Sequence, residues 1–337
     1  MKLASLEKII SISPHENADR LEIAKVLGWE VIVKKGEFKA DDLCVFIPID
    51  TILPFASWSE FLRSKNDPDK PIRLKTIKLR GRYSQGLVLP VSILPSNLID
   101  LSIIDQIKIG MDVSEILGIK KYEKVIPSHL TGQIKGDFPD YLVPRTDEDN
   151  GLSNPDIIKM VELHCPLVVT QKLDGSSCTM VVENGRIKEV CSRNLSIQES
   201  DNNAFWIAAK KINLNVLPPS FILQAECMGP GIQGNQLKLN SPELFIFSIF
   251  DHPKNPNSLG LISFMRIYEA NCNNLNLVPL IGIFDTPQNW QALADKQILP
   301  DGNPAEGIVV RPFDPMRFHN KGRPLGFKII NRNYKDT

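Results

Sequence analysis

The sequence predicts an α+β protein in two domains: a small β-barrel, followed by a domain of antiparallel sheets flanked by helices. Its 337 residues exceed one typical domain, because domains average roughly 100–200 residues. Short strand-like runs separated by Gly and Pro fill the first part of the chain, and such runs return after Pro155. Among these runs, one stretch has the apolar spacing of a convincing helix. Because strand-like runs outnumber helical ones, the pattern favours sheets over a helical bundle.

Residues 1–125 are predicted to form the barrel. The runs in this part are alternating or rich in β-branched residues, and turn signals such as Lys35-Gly36 and Arg80-Gly81 interrupt them. Several short strands at this spacing favour a closed or partly open barrel. The predicted strands are residues 21–26, 29–33, 43–49, 72–79 and 87–91.

Residues 126–143 are predicted to link the domains, because the segment is polar and is interrupted by Pro127, Gly132 and Pro139. The second domain then covers residues 144–337. Its predicted helix is residues 202–212, in which Phe205 and Ala208 belong to an apolar stripe. Its predicted strands are residues 167–170, 178–182, 221–224, 245–250, 307–310 and 326–330.

Charge and hydropathy exclude several classes of protein. Lys+Arg and Asp+Glu are equal at 39 each, which excludes a histone-like polycation and an acidic tail but leaves room for a local basic groove. The sequence has no apolar run as long as a membrane-spanning helix requires. The N-terminus lacks the apolar core of a secretory signal. We therefore expect an intracellular, cytoplasmic protein that does not bind membranes.

The sharpest chemical signal is the run Lys172-Leu173-Asp174-Gly175. An apolar strand leads to the lysine, and the glycine that follows lets the backbone turn and approach a ligand closely. Lysine is a poor nucleophile at neutral pH, and its pKa must fall by about 3 units through desolvation and a nearby cation before it reacts readily. Taken alone, the run also fits an ordinary hairpin with a surface lysine.

Further short motifs follow this run along the chain. Together they resemble the ordered motifs of the covalent nucleotidyltransferase superfamily, which includes polynucleotide ligases and messenger-RNA capping enzymes. The lysine run resembles motif I of that set. The remaining motifs are Ser192-Arg193-Asn194, Glu226 within residues 223–229, Phe247 within residues 245–249, Glu306 within residues 306–311, and Lys328 within residues 327–331.

The resemblance implies a role for each motif. Lys172 would be the nucleophile that takes AMP, and Lys328 would assist catalysis at the phosphates. Glu306 would bind Mg²⁺ or Mn²⁺, for which carboxylates are suitable ligands. Glu226 would either bind the metal as well or accept hydrogen bonds from the ribose hydroxyls. Phe247 would stack on adenine. The residues implied to contact ATP are Gln171, which would read the adenine edge, and Lys172, Asp174, Gly175, Arg193, Glu226, Phe247, Glu306 and Lys328.

Within the superfamily the chain is most similar to ATP-dependent RNA ligases, because of residues 229–235 and the run 144–148. Residues 14–22 and 78–87 resemble the N-terminal OB domain of the Deinococcus- and Naegleria-type RNA ligases. Arg80, Arg82 and Arg145 are the predicted RNA contacts, since Arg suits phosphate. The basic cluster that contains Arg80 and Arg82 also fits a solvated strand edge.

Two positions depart from the family pattern. Motif V of many ligases is K-x-K, and the first of these lysine positions is Gly326 here. Either this branch does without that charge, or Lys321 or Arg323 supplies it. Ser248 stands where Asp is common in motif IIIa, and we therefore do not expect it to bind metal.

These resemblances imply an ATP-dependent RNA ligase that joins 3′-OH and 5′-phosphate ends through lysyl-AMP and RNA-adenylate. The implied substrate is a nick in duplex RNA, or in a duplex with a ribonucleotide on the 3′-OH side, and the implied assembly is a monomer. Two alternatives remain open at this point. One is a DNA ligase or a capping enzyme, although both usually carry their OB domain after the nucleotidyltransferase domain. The other is a non-catalytic RNA-binding protein, since a motif V lysine is missing.

Overall fold

The computed structural model describes residues 2–64, 67, 70–95, 108–122, 134–146, 148–251, 261–271, 275–315 and 324–334. The chain divides into two units. The first is Met1–Val125 with Leu152–Pro155, and the second is Ile126–Gly151 with Asp156–Thr337. Each unit has its own buried apolar core.

The first unit is built around one long strand that pairs on both sides. Strand β1 pairs antiparallel with β2 through its second half and with β4 through its first half, and a register shift falls between Ile9 and Ser11. The strands are β1 (Ser5–Pro14), β2 (Leu21–Val26), β3 (Trp29–Lys34), β4 (Leu43–Ile47), β5 (Thr51–Leu53), β6 (Ile72–Arg73), β7 (Ile77–Leu79), β8 (Arg82–Ser84), β9 (Leu87–Pro90) and β10 (Lys120–Lys121), with 3₁₀ turns at Ser57–Leu62 and Val91–Ile93.

The main sheet of this unit curls toward closure. Its order is β3-β2-β1-β4-β9, and the Gln85 N–H, just before β9, donates to the Glu30 carbonyl of β3 at 2.9 Å. Inside lie Ile9, Trp29 and Phe46, each buried at 1% exposure or less. Along β3, fully buried residues alternate with more accessible ones, which matches this one-sided burial.

The second unit contains the remaining strands and the α-helices of the described chain. The strands are β11 (Ile134–Asp137), β12 (Asp149–Asn150), β13 (Leu167–Lys172), β14 (Ser176–Glu183), β15 (Arg186–Cys191), β16 (Leu195–Ile197), β17 (Phe221–Met228), β18 (Glu243–Asp251), β19 (Leu261–Ile262), β20 (Leu280–Phe284), β21 (Gly307–Pro312) and β22 (Phe327–Ile330). The helices are α1 (Pro155–Glu162), α2 (Ala204–Lys210), α3 (Phe264–Asn271) and α4 (Trp290–Asp295), with 3₁₀ turns at Leu214–Val216 and Gln233–Asn235.

Two sheets carry the second unit. The large sheet has the order β11-β16-β15-β14-β17-β18-β19, and the small sheet has the order β12-β22-β21-β13-β20. Strands β13 and β14 are consecutive but belong to different sheets, so the turn between them connects the two. Residues 173–175, which include the Asp-Gly pair, form this connection.

The core of the large sheet lies on the side covered by α2. Asn203 caps this helix by accepting hydrogen bonds from the backbone N–H groups of Phe205 and Trp206. Phe205, Trp206 and Ala208 are buried against Met180 and other apolar residues of the sheet. The opposite face of the sheet carries a second buried apolar cluster, which includes Val181, Ile222 and Phe250.

The α+β class, with a strand-built first unit followed by antiparallel sheets, is confirmed. The predicted run 72–79 is two separate strands, β6 and β7, because the chain between them is irregular. Residues 134–143, assigned to the linker from their polarity, instead contribute strand β11 and the buried Phe138 and Val143 to the second unit. None of the helices in the described ranges is long and apolar enough to cross a membrane.

Candidate functional site

Lys172 is the last residue of β13 and sits directly beside Glu306. Its Nζ donates to Glu306 Oε2 at 2.6 Å, and the two side chains are 22% and 16% exposed. The antiparallel register of β13 and β21 pairs Lys172 with Gly307, which places Glu306 next to the lysine. The two motifs, far apart in sequence, are thus joined by an ordinary strand pairing.

The electrostatics of Lys172 differ from what a nucleophilic amine needs. Burial alone would lower the pKa of Lys172, but the carboxylates of Glu306, Glu226 and Asp174 outweigh burial and raise that pKa above its usual value. The amine is therefore held protonated by its neighbours. Its activation requires positive charge that offsets these carboxylates.

Glu226 reaches the same place from the large sheet. The backbone N–H of Gly175 donates to Glu226 Oε1 at 2.9 Å. A Cβ on Gly175 would lie 2.4 Å from the Cys227 carbonyl oxygen and 2.4 Å from Met228 Sδ. No residue with a side chain fits there, so glycine lets the turn after Lys172 press against β17.

The two glutamates form an acidic pair. Burial raises the pKa of Glu226 to about 7, a rise that Lys172 opposes and Glu306 reinforces. Burial also raises the pKa of Glu306, against the effect of Lys172. Two partly buried carboxylates that repel each other and supply hard oxygen donors fit a divalent cation such as Mg²⁺ or Mn²⁺. Within the described residues, no group of three or more His, Cys, Asp or Glu is arranged to hold a metal.

Asp174 is buried at 7% exposure and is held by residues from two other segments. The Tyr334 hydroxyl donates to Asp174 Oδ2. Gln236 Nε2 donates to the Tyr334 hydroxyl at 2.8 Å and lies 3.4 Å from the same carboxylate oxygen. Burial, followed by this contact with Asp174, raises the pKa of Tyr334, so the phenol stays protonated.

Gln171 and Lys172 point to opposite faces of the small sheet, because side chains alternate along a strand. The side-chain amide of Gln171 donates to the Ile298 carbonyl at 3.1 Å. The residue that shares the face of Lys172 is Thr170, which lines a pocket together with Phe247. An adenine contact by the Gln171 side chain, predicted from its place beside the nucleophile, thus has no support from its orientation.

Phe247 of β18 lies at a pocket formed with Arg311 of β21 and Thr170 of β13. Arg311 Nη1 donates to the Phe247 carbonyl at 2.8 Å, and its guanidinium carbon is 5.5 Å from the Phe247 ring centroid. The second Arg311 amine bonds Glu148. Although burial opposes it, Arg311 lowers the pKa of Glu148 below its usual range. Arg311 thus connects the small sheet to the ring that is predicted to stack on adenine.

Lys328 lies on β22, where its register partner is Val309 of β21. Its charge acts on both Glu306 and Glu148, whose pKa values it pulls downward. The structure gives a steric reason for glycine, and not lysine, at position 326. A Cβ there would lie 2.8 Å from Arg311 Cγ and 3.0 Å from the Val310 carbonyl oxygen. The stem of Arg311 therefore occupies the space beside Gly326. Lys321 and Arg323 lie outside the described residues.

Arg193 lies in the exposed turn between β15 and β16. The predicted RNA contact Arg145 meets this turn, since its Nη1 donates to Asn194 Oδ1 at 2.7 Å. Arg145 also forms a two-pronged bond with Asp140, at 2.8 Å from Nε and 2.7 Å from Nη2. Residues 192–194 and 144–148, singled out separately in the sequence, therefore come together at one edge of the large sheet.

In the first unit, β7 and β8 form a two-stranded ribbon that we call the basic hairpin, residues 77–84. His15 Nε2 lies 3.2 Å from the Leu79 carbonyl, and Asn17 Nδ2 donates to the Arg80 carbonyl at 3.1 Å. Arg80 is exposed at the turn, with a φ of 46°. Arg82 is 3.4 Å from Glu30. The two sequence runs that resemble the OB domain thus form one structure, in which the first holds the turn of the second.

Several residues of this site have no role that the sequence predicts. Glu148 and Arg311 belong to longer motifs without a role of their own, and Thr170, Gln236 and Tyr334 are not among the predicted site residues. The period-2 pattern of β13 could have separated Thr170 from Gln171. The contacts of Arg311, Gln236 and Tyr334 depend on long-range pairing, which no local spacing encodes.

Comparisons with known proteins agree with this architecture. An OB-fold domain model matches residues 3–91, and an RNA ligase family model matches residues 166–330. A search of curated protein sequences gave no match.

Solved structures of Naegleria gruberi RNA ligase are similar to the chain over nearly its whole length. A lysine variant with AMP and Mn is 31% identical with a TM-score of 0.81. The ligase with PPi is 31% identical with a TM-score of 0.79, and a glutamate variant with ATP and Mn is 30% identical with a TM-score of 0.81. Each match covers 98% of this chain and 97% of the other. The chain therefore belongs to the RNA ligase family.

Proposed function

We propose that this protein is an ATP-dependent RNA ligase that joins a 3′-OH end to a 5′-phosphate end through lysyl-AMP and RNA-adenylate intermediates. The observation that carries the proposal is the convergence of Lys172, Glu306 and Glu226 from two sheets. Lys172 faces several carboxylates, and such an excess of negative charge suits a site that binds a further cation.

Its relatives support the choice of nucleotide. Naegleria gruberi RNA ligase has been solved with ATP and Mn, with AMP and Mn, and with PPi. These are the substrate, the transferred group and the leaving group of an adenylylation. By similarity, ATP and a divalent metal ion serve the present chain.

In the first step, Lys172 Nζ loses a proton and attacks the α-phosphorus of ATP. An N–P bond forms, the bond to the β-phosphate oxygen breaks, and pyrophosphate leaves. AMP then passes to the 5′-phosphate of the RNA, which frees Lys172. The 3′-OH finally attacks that activated phosphate and expels AMP, so that one ATP is consumed for each bond made.

The chain's own residues prepare this chemistry. Glu306 and Glu226 would hold a divalent ion, and the ion would supply positive charge that lowers the pKa of Lys172 and offsets phosphate charge. Lys328 and Arg311 would add the cationic groups that a triphosphate needs. Phe247 offers a flat apolar face for the base. Arg193 and Arg145 would bind phosphate groups, for which a guanidinium is well shaped.

We infer that the substrate is a nicked duplex with a ribonucleotide on the 3′-OH side, and that the protein acts as a cytoplasmic monomer. The basic hairpin supplies charge and an aromatic side chain for the RNA: Lys78 and Arg80 are exposed, and Lys78 Nζ lies 5.0 Å from the Tyr83 ring centroid. Such a surface suits phosphate neutralisation more than base-specific readout.

The first step is tested by incubating the protein with α-labelled ATP and Mn²⁺, followed by denaturing electrophoresis. We expect the label on the polypeptide, and on Lys172 by mass spectrometry. Lys172→Ala should lose at least about 10³-fold of the labelling rate, as removal of a nucleophile does in other enzymes. Lys159→Ala is the matched control, because this exposed lysine pairs with its helix neighbour Asp156 on the surface of α1. Labelling of Lys172→Ala at the parent rate would overturn the proposal.

The substrate is tested with nicked duplexes of identical sequence, made with all-RNA, all-DNA or single-ribonucleotide 3′-OH strands. We expect sealing when the 3′-OH side is RNA. Equal sealing of all-DNA nicks would identify a DNA ligase instead. Duplex RNA binding without a protein adduct or a sealed product would identify a non-catalytic RNA-binding protein.

A further inference from the structure

Three segments that are distant in sequence meet at the Asp174 carboxylate. The Tyr334 hydroxyl bonds Asp174 Oδ2, and Gln236 Nε2 donates to that hydroxyl at 2.8 Å while lying 3.4 Å from the carboxylate. Asp174 follows Lys172 by two residues and acts electrostatically on both Lys172 and Glu306. The contact with Tyr334 thus helps to fix the position of the Asp174 carboxylate, one of the negative charges around Lys172.

Tyr334 is itself attached to the catalytic strand region. Its backbone N–H donates to the Asn331 carbonyl at 3.1 Å, and the Asn331 N–H donates to the Glu306 carbonyl at 2.9 Å. The turn that carries Tyr334 is therefore fixed to the backbone of Glu306. A displacement of this turn would move Asp174 and Glu306 relative to each other.

Gln236 comes from a loop whose backbone is set for this contact. Asn235 and Lys238 have positive φ values of 49° and 53°. The Asn235 side chain bonds the Leu239 backbone at both N–H and carbonyl. Asparagine tolerates this conformation, whereas lysine rarely adopts it without support from its surroundings. The loop begins at Asn235, the last residue of the run 229–235 that is typical of RNA ligases. None of its residues has a part in the chemistry proposed above.

We propose that Tyr334 is a positioning residue for lysine adenylylation, which it assists by fixing Asp174 beside Lys172 and Glu306 through its hydroxyl, with Gln236 as the support. This inference rests on the proposed ATP-dependent reaction. It assigns no contact between Tyr334 and ATP, because its hydroxyl is engaged with Asp174 and Gln236.

Tyr334→Phe removes the hydroxyl and keeps the ring. A hydrogen bond to a charged group is worth enough that its loss should lower the kcat for lysine adenylylation about 10-fold. The KM for ATP should change less than about 2-fold, since the binding groups are untouched. Gln236→Leu should lower kcat in the same direction but less, because the bond between Tyr334 and Asp174 remains.

The measurement is the rate of labelling of the intact protein with α-labelled ATP over a range of ATP concentrations, together with the thermal midpoint of each variant. Tyr334→Leu separates the hydroxyl from ring packing: we expect a kcat close to that of Tyr334→Phe but a lower midpoint. Tyr122→Phe is the matched control, since this ring packs against Arg73 in the first unit, and should label like the parent.

Several results would overturn the inference. A parent-like kcat in Tyr334→Phe would do so, as would a change confined to the KM for ATP. So would a kcat in Tyr334→Leu that falls below that of Tyr334→Phe in step with its lower thermal midpoint. If Tyr334→Phe does not fold, Gln236→Leu decides, and parent-like kcat in that variant counts against the proposal. Failure of the parent itself to label would overturn the proposed function instead, so the two failures are distinguishable.

Discussion

Lys172 and Arg80 are both cations at the end of a short β-strand, yet their surroundings are opposite. Lys172 is mostly buried, and carboxylates raise its pKa. Arg80 stands exposed at the turn of the basic hairpin, which His15 and Asn17 hold through its backbone. Charges attract or repel more strongly away from water, whereas exposed charges are screened by salt. The first region should therefore respond sharply to single substitutions, and the second should respond weakly and in a salt-dependent way.

The largest effect is expected at Glu306. Glu306→Gln keeps the shape of the side chain but removes the charge that faces Lys172 at 2.6 Å. If Glu306 holds the divalent ion, labelling with α-labelled ATP should fall by at least about 100-fold, as losses of charge-stabilising groups do in active sites. Asp156→Asn, an exposed substitution in α1, is the control. Parent-like labelling would show that the buried acidic pair is structural.

A smaller effect is expected at Arg311, whose two amines bond the Phe247 carbonyl and Glu148. Lysine cannot reproduce this fork. We expect Arg311→Lys to raise the KM for ATP about 10-fold, because two hydrogen bonds that place the pocket wall become one. The measurement is the ATP dependence of labelling. Arg332→Lys breaks a similar fork, to Asp295, and should lower thermal stability without changing KM.

Glu226 allows the buried region to be tested without any reaction. Its pKa is raised from 4.5 to about 7, so the folded protein binds this proton more tightly than the unfolded chain does. Stability is therefore lost as pH rises from about 4.5 to about 7, and the loss is complete above that range. Glu226→Gln mimics the protonated form. In EDTA, we expect a higher thermal midpoint than the parent at pH 8, by several degrees.

At pH 4, where the parent carboxyl is itself protonated, the same two proteins should melt at similar temperatures. The Gly175 N–H still finds an amide oxygen in the variant, so its hydrogen bond does not confound the comparison. If the thermal midpoint of Glu226→Gln at pH 8 is below that of the parent, the attraction between Glu226 and Lys172 stabilises the fold more than burial of the Glu226 charge destabilises it.

The same contrast explains what the sequence could predict. Strand runs such as 21–26 coincide with β2 because alternation and flanking turns are local signals. Lys172 and Asp174 could be singled out because the proposed nucleophile and the turn that follows it are adjacent in the chain. The β1 strand was not predicted, since its apolar residues Leu6 and Ile9 face two different core clusters and show no simple alternation.

The rest of the site depends on pairing between distant segments. The role of Arg311 at Gly326 appears only when β21 lies against β22. Tyr334 reaches Asp174 across 160 residues of chain. Residues 134–143 are polar enough to suggest a linker, but Phe138 and Val143 become buried once the large sheet exists. Tertiary packing overrides local composition in this segment.

The smallest effects are expected on the basic hairpin, and two of its arginines sharpen the comparison. Arg80→Ala should weaken binding of a nicked RNA duplex about 3-fold and reduce the slope of log affinity against log salt by about 1, since one phosphate contact is lost. Arg82→Ala should have less effect on binding, because Arg82 already lies 3.4 Å from Glu30 and gains less from a new anion. Labelling by ATP should be unchanged in both variants, because the residues that we propose for adenylylation all belong to the second unit. A loss of RNA affinity in Arg82→Ala as large as that in Arg80→Ala would show that the pairing with Glu30 does not compete with RNA. Loss of labelling in either variant would contradict the separation of buried chemistry from exposed binding.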